Sequence, residues 1–418
     1  MLRRLQLGVL ALALVIAALS TGAPFLFFLL YLGIVVVGGA YLLARFGLAD
    51  LEAGYVLDHV QAEVGEALRV TYTLRNVSRL PKLWLEAYNP STLPVGLPGR
   101  ALSLGPLGEK SWAARVRLTR RGQYRIDPLT LRTADPFGFF ESSASVGTPT
   151  SLLVHPRVEQ IPGWVLPPAQ IEGSHAHPVR TAQTTPHATS IRPYEPGDSY
   201  NRIHWRTSAR TGELQVKEFD LEQTADVWLY LDLSASAHTG AGDESTIEYA
   251  VRVAAAISAR ALVENRSLGI TAAGARSIVL QPDRGRRQYQ KMLQLLAAVQ
   301  PDGHRPLLEV LVESLPRLRR GMTAVVITPS TDRSWIKPLS GLRSRGVSSV
   351  VVLLDAPAFA RVADGPATPE QEDAGLRALR AVRHGLAEYD LSPTTIVPGP
   401  PLAAQMITPR HAQVVPVP

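Results

Sequence analysis

The chain of 418 residues contains no cysteine. That absence excludes disulfides, thiolate zinc sites, iron–sulfur clusters and any cysteine nucleophile of the papain or transglutaminase kind. It leaves the redox compartment open. Aromatic residues are few, at 6%, and charged residues make up only 19% against 46% hydrophobic. The mean hydropathy of +0.05 is therefore raised by aliphatic side chains. No G-x-x-x-x-G-K-[ST] string occurs, so the chain is not expected to bind or hydrolyse a nucleotide. The formal charge is only +7, with Arg3, Arg4 and Arg45 at the ends of the apolar start. This is too small an excess to argue for nucleic acid.

What is abundant is concentrated at the beginning. From Leu5 to Ala44, 40 residues pass without a charged side chain. At a rise of ~1.5 Å per residue they suffice for two crossings of a ~30 Å hydrocarbon layer. The one strong break is Ser20-Thr21-Gly22-Ala23-Pro24, so residues 1–47 read as a membrane α-hairpin, with helices near Leu5–Leu19 and Phe25–Ala44. A cleaved signal peptide is the competing reading, because Arg3 and Arg4 precede an apolar run ending in Ala17-Ala18-Leu19. The second apolar run argues against it. Basic residues lie only at the outer ends, which places both ends and the body in the cytoplasm by the positive-inside rule. Reversed topology, a periplasm-facing binding receptor, is the alternative.

Residues 48–165 change to short alternating runs broken by Pro and Gly. Glu66 to Leu74 alternates with period two, and Leu83 to Ala87, Ser111 to Thr119, Gly122 to Ile126, Leu129 to Arg132 and Leu152 to His155 continue the series. This spacing predicts an all-β immunoglobulin-like sandwich. Arg120-Arg121-Gly122-Gln123-Tyr124 reads as a hairpin turn with Gly122 at positive φ. Asp135-Pro136-Phe137-Gly138-Phe139-Phe140 reads as a turn whose phenylalanines cap the core. A partner-docking patch is the other reading of the phenylalanines.

Residues 166–225 form a Pro- and His-rich linker followed by a polar segment, and 226–400 read as α/β. Val227 to Leu231 is a short apolar strand ending in Asp232; Ser245 and Glu248 make a capping box for a helix from Ile247 to about Glu264. Strands at Leu268 to Ala272 and Ser277 to Leu280, helices around Arg287 to Val299 and Pro306 to Arg320, and buried strands at Ala324 to Ile327 and Ser349 to Leu354 follow. Alternation of this kind predicts a doubly wound sheet with helices on both faces. Residues 401–418 read as a Pro-rich tail.

Chemistry on such a sheet gathers at the carboxyl ends of its strands. There the chain carries Asp232-Leu233-Ser234-Ala235-Ser236. This D-x-S-x-S string is the first ligand set of a metal-ion-dependent adhesion site, one carboxylate and two hydroxyls offering hard oxygens to Mg²⁺. The set is incomplete: the loop at Asp302 offers no threonine, and Thr328-Pro329-Ser330-Thr331-Asp332 places the next acid several residues past the strand. A polar strand-to-helix loop is the competing reading. A hydrolase using Asp232, Ser236 and His204 is a further alternative, though Ser236 lacks the G-x-S-x-G elbow. His175-x-His177 supplies no third metal ligand.

Between the two bodies runs Ile191-Arg192-Pro193-Tyr194-Glu195-Pro196-Gly197-Asp198, then Arg202-Ile203-His204-Trp205-Arg206-Thr207-Ser208-Ala209-Arg210-Thr211-Gly212. Physically, Pro196-Gly197-Asp198 is a turn, and Arg192, Arg202, Arg206 and Arg210 are spaced to meet Glu195 and Asp198. Trp205 is the expected apolar anchor, so that the segment folds against the sheet and fixes the sandwich beside the α/β body; a partner or ligand surface is the alternative. From Arg192 to Glu222 there are five Lys/Arg against six Asp/Glu, a poor phosphate-backbone binder. The segment resembles the signature of the domain-of-unknown-function family 58, carried on Arg192, Tyr194, Pro196, Gly197, Asp198, Arg202, His204, Trp205, Ser208 and Arg210. The paired apolar helices, the R-R-G-x-Y and D-P-F-G-x-F phrases and D-x-S-x-S occur in that family's order. The resemblance implies a von Willebrand A-like α/β domain in a membrane-anchored, cytosol-facing protein. It also implies work with a MoxR-type AAA+ ATPase in assembly or maturation of complexes; no enzymatic activity is established for that family, and none is expected of this chain.

Overall fold

A computed structural model describes residues 2–166, 190–196, 198, 200–218, 226–365 and 368–407 of the chain. It divides into two units, residues 1–157 and 158–418.

The first unit opens with α1 (Leu2–Thr21) and α2 (Pro24–Phe46), joined at Gly22 in the left-handed region (φ 67°) with Pro24 in the first turn of α2. α2 is long and apolar enough to cross a membrane; the apolar stretch of α1 among the described residues is Ala11–Thr21. Ten strands follow: β1 (Leu51–Leu57), β2 (Gln61–Glu63), β3 (Ala67–Asn76), β4 (Lys82–Tyr88), β5 (Arg100–Leu104), β6 (Glu109–Arg117), β7 (Gly122–Ile126), β8 (Leu129–Ala134), β9 (Glu141–Val146) and β10 (Thr150–His155). They form three sheets, β1-β3-β6, β2-β10-β7 and β5-β4-β8-β9. All three contribute to one core. β3 shows how: Leu68, Val70, Tyr72 and Leu74 point inward and the residues between them outward, as period-two alternation requires.

α2 passes into this β body without a linker. Lys82 donates through Nζ to the Phe46 carbonyl at 2.8 Å, closing the open end of the helix. A Cβ on Gly47 would lie 2.7 Å from Thr133 Cγ2, so only glycine allows so close an approach. Burial holds the Lys82 ammonium below its ordinary pKa, with Asp50 opposing.

Each sequence phrase matches its reading in part: Gly122 has the expected positive φ, 157°, though β6 and β7 on either side of it pair with other strands, and the Gly138 amide donates to the Asp135 carbonyl in the expected turn. Gly122 begins β7, where a Cβ would lie 3.1 Å from Cζ of the Tyr124 ring, whose hydroxyl donates to the Arg120 carbonyl at 2.9 Å. Asp135 is buried and accepts from the Phe137 and Phe140 amides at 2.8 and 2.5 Å. The phenylalanines do not cap the core. Phe137 is exposed and stacks on Phe139, and the Phe140 ring meets Tyr41 of α2 edge-on at 5.6 Å.

The second unit begins earlier than expected. Ile161, Trp164 and Leu166 are buried in its core, so the β body ends near Arg157, not at residue 165. β11 (Ser190–Pro193), α3 (Trp205–Thr211) and β12 (Gln215–Glu218) form a small hairpin-and-helix module. The main body comprises β13 (Val227–Asp232), α4 (Thr246–Val263), β14 (Leu268–Ala273), β15 (Ser277–Asp283), α5 (Gly285–Ala298), α6 (Leu307–Ser314), β16 (Thr323–Thr328), α7 (Ile336–Ser340), β17 (Ser348–Leu354), α8 (Ala356–Asp364), α9 (Pro369–Ala387), β18 (Thr394–Ile396) and α10 (Leu402–Gln405). Their sheet runs β15-β14-β13-β16-β17-β18, parallel except for β15. β13 is buried on both faces. Val227, Leu229 and Leu231 share a core with α4 and α5, and Trp228 and Tyr230 share another with α6, α7 and α9. That is why it reads as a continuous apolar run. Leu402 and Met406 pack into the first of these cores, so the expected tail is structured at its start.

Two buried tyrosines make an alkaline prediction. Burial pushes Tyr72 and Tyr230 up from their ordinary value to about 12. A raised folded pKa supplies stability that is complete below the unfolded pKa near ~10 and lost as pH climbs through the folded one. Each unit is therefore expected to lose about 2–3 kcal/mol between roughly pH 10 and 12. Tyr72→Phe should remove the first unit's share, because the Tyr72 hydroxyl has no hydrogen-bond partner among the described residues. Melting curves unchanged across that window would refute the account.

Candidate functional site

The order of the main sheet departs from β13 in both directions, β14 on one side and β16 on the other. The carboxyl end of β13 is therefore the switch point at which open α/β sheets place their sites. Asp232 stands there, buried, with Ser234 beside it. The loop after α5 crosses the strand ends: Gly303 donates to the Leu233 carbonyl at 2.9 Å, and Ala235 donates back to Gly303 at 2.8 Å. A Cβ on Gly303 would lie 2.5 Å from the Ala273 carbonyl, so this crossing needs glycine.

Structure brings Asp232, Ser234 and Ser236 together. Asp232 Oδ1 accepts from the Ser234 amide at 3.0 Å, and the Ser234 and Ser236 hydroxyls are 3.1 Å apart. Three further residues that sequence reasoning did not assign complete the cluster. Thr328, fully buried at the end of β16, donates its hydroxyl to Asp232 Oδ2 at 2.6 Å. His238 reaches back with Nε2 to the Asp232 carbonyl at 2.8 Å and with Nδ1 to the Thr246 hydroxyl at 2.9 Å. Because a carbonyl only accepts, Nε2 carries the proton. Thr246 also takes the Thr239 amide at 2.9 Å, which closes the loop onto the first turn of α4.

This donor set is engaged within the protein. It holds one carboxylate, and both of its oxygens already accept hydrogen bonds. Asp302 accepts instead from the Ala275 amide at 2.8 Å, and Asp332 from Ser334. Among the described residues no group of three or more acidic or histidine side chains is placed to hold a metal ion. The arrangement is a hydrogen-bonded cap over the strand ends. Among the described residues, the hydrogen bond of the Ser236 hydroxyl is to Ser234, and His204 Nδ1 is engaged by Thr207.

His204 is the N-cap of α3, its Nδ1 taking the Thr207 amide at 3.2 Å and lying 2.7 Å from the Thr207 hydroxyl. Ser208 donates to the His204 carbonyl at 3.1 Å and accepts from the Gln215 amide at 2.8 Å. Gly212 ends the helix in the left-handed region, φ 77°. Of the arginines, Arg192 meets the expected partner, gripping Asp198 with two bonds of 2.8 and 2.9 Å. Pro196, Arg206 and Arg210 are exposed, and Tyr194 packs its ring 6.0 Å from that of Tyr200. Gly197, the Arg202 side chain, the His175-x-His177 pair and residues 408–418 lie outside the described residues.

Trp205 is not the apolar anchor expected of it. It is 65% exposed, and Tyr200, Ile191 and Leu214 of the same module are 70%, 43% and 41% exposed. Ile203 and Val216 fill the module's interior, while these four apolar side chains face solvent.

The uncharacterized protein YeaD of Bacillus subtilis is 27% identical over 327 residues, covering 75% of this chain and 79% of that protein. The uncharacterized protein Rv1480 of Mycobacterium tuberculosis is 31% identical over 169 residues, 39% of this chain and 53% of its own length. Among solved structures, the CARDB domain of the Pyrococcus furiosus protein PF1109 aligns with 25% of this chain and 92% of its own, at 15% identity and a TM-score of 0.19. Residues 190–361, from β11 into α8 and including both the exposed module and the Asp232 cap, match the family described as Protein of unknown function DUF58.

Proposed function

We propose that the chain is a two-pass, membrane-anchored adaptor whose cytosolic α/β body, von Willebrand A-like in kind, docks a protein partner through the module at residues 190–218. The observation that carries this reading is the outward set of Trp205, Tyr200, Ile191 and Leu214. Large side chains of this type, clustered on one module, favour protein contacts. The switch-point cap supports a binding role, since its one acid is held by hydroxyl and amide donors. The partner proposed is a MoxR-type AAA+ ATPase, with this chain supplying the anchor and the client contact, without its own nucleotide or enzymatic turnover.

Crosslinking in native membranes followed by pull-down is expected to recover an AAA+ ATPase with the wild-type chain and to lose it with Trp205→Ala. Recovery of no ATPase would overturn the partner; equal recovery with Trp205→Ala would overturn the surface. A reporter fused after Pro418 should read as cytoplasmic, and a periplasmic reading would reverse the topology.

A further inference from the structure

The last two turns of α2 and the rim of the β body enclose an apolar groove of about 690 Å³. Gly39, Leu43 and Phe46 line it from the helix, and Leu80, Leu83 and Trp84 from the body. Its volume is that of a site for a small apolar ligand. Its rim side chains face outward, with Leu80, Leu83 and Trp84 at 59%, 65% and 45% exposure. The rim is also held in shape. Asn76, fully buried, donates to the Leu80 and Gly105 carbonyls at 2.8 and 2.9 Å, and Thr133 donates to the Trp84 carbonyl at 2.7 Å.

The groove's position says what covers it. Gly39 precedes the end of α2 by about 10 Å at ~1.5 Å per residue, so a span ending at Phe46 carries the groove's helical wall inside the hydrocarbon. Tyr41, on the same stretch, is the residue met by Phe140 at 5.6 Å. The body's rim therefore lies beside a buried part of the helix, and the junction at Lys82 and Gly47 leaves no slack to lift it away. Arg45, on the last turn, and Arg79, next to Leu80, are exposed, and cations at that level suit an anionic headgroup.

We infer that this groove holds an acyl chain of a phospholipid from the surrounding leaflet, with Leu80, Leu83 and Trp84 seated at the hydrocarbon boundary. The inference rests on the anchor reading above and adds a lipid contact to the β body that an anchor alone does not require.

The absence of cysteine permits a direct test. Nitroxide labels on Leu83→Cys, on Val35→Cys in mid-span and on Thr71→Cys on the outer face of β3 are compared in the full chain, reconstituted in vesicles of phosphatidylcholine and phosphatidylglycerol. The Leu83 label is expected to lose access to a water-soluble nickel complex and to retain access to oxygen, as the Val35 label does and the Thr71 label does not. Nickel access at Leu83 with protection at Val35 would overturn the lipid contact and leave the anchor standing. Nickel access at Val35 would overturn both. Native mass spectrometry gives the second readout: the wild type retains a bound phospholipid and Gly39→Trp, which fills the groove, loses it. Equal retention would overturn the groove as the lipid's site.

Discussion

Glu159→Ala is expected to destabilise the α/β unit by about 2–3 kcal/mol, the range for losing charged hydrogen bonds in a part-buried ion pair. Glu159 is half of such a pair with Arg252 of α4, their side chains 15% and 23% exposed. Burial works against the guanidinium charge, but the hydrogen bond and charge of Glu159 outweigh it and hold the Arg252 pKa above its ordinary value. The same carboxylate accepts from the Leu402 amide at 3.1 Å, and the guanidinium lies 4.3 Å over the Tyr249 ring. One side chain from the entry of the unit thus ties its last helix to its central one. Removing it strands a part-buried cation and an amide together. Chemical denaturation of the single variants and of Glu159→Ala/Arg252→Ala would measure the coupling. A double variant costing the sum of the singles would refute a shared interaction.

Thr328→Val is expected to cost about 1–3 kcal/mol, because it leaves a buried carboxylate oxygen of Asp232 without its donor. Asp232→Ala should cost at least as much, releasing Thr328 and the Ser234 amide and opening the cap. Since both Asp232 oxygens already accept hydrogen bonds, Mg²⁺ is expected to leave the melting temperature of the wild type unchanged. A rise with Mg²⁺ that disappears in Asp232→Ala would overturn this account and restore the metal.

Local features were the legible ones. Alternation over Glu66 to Leu74 named the inward face of β3, and the spacing of Ser245 and Glu248 placed the start of α4, where Ser245 accepts from the Glu248 amide at 3.4 Å. Continuous apolar runs named β13, β16 and β17, because strands covered on both faces need no polar side. What stayed hidden depends on contacts distant in the chain. Thr328 closes on Asp232 across 96 positions, and no spacing rule links them. Ile161 and Trp164 looked like the end of the sandwich because a short apolar stretch does not say which core will take it. β18 is three residues long, and α9 carries charge around much of its surface, with few buried positions, Leu379, Val382 and Leu386 among them. Trp205 misled for a different reason. Tryptophan is usually buried in part, and only the surrounding fold shows that this one faces solvent.

The direct passage from α2 into the β body also bears on how the protein meets anything else. With the Phe46 carbonyl held by Lys82 and Gly47 pressed against Thr133, helix and β body turn as one piece. A tilt of the span is then a tilt of the β body. On the membrane-anchored reading proposed above, tumbling is reduced to sliding in a plane and spinning about the membrane normal, so the orientational freedom that docking removes from a free protein is, for this unit, already removed by the bilayer.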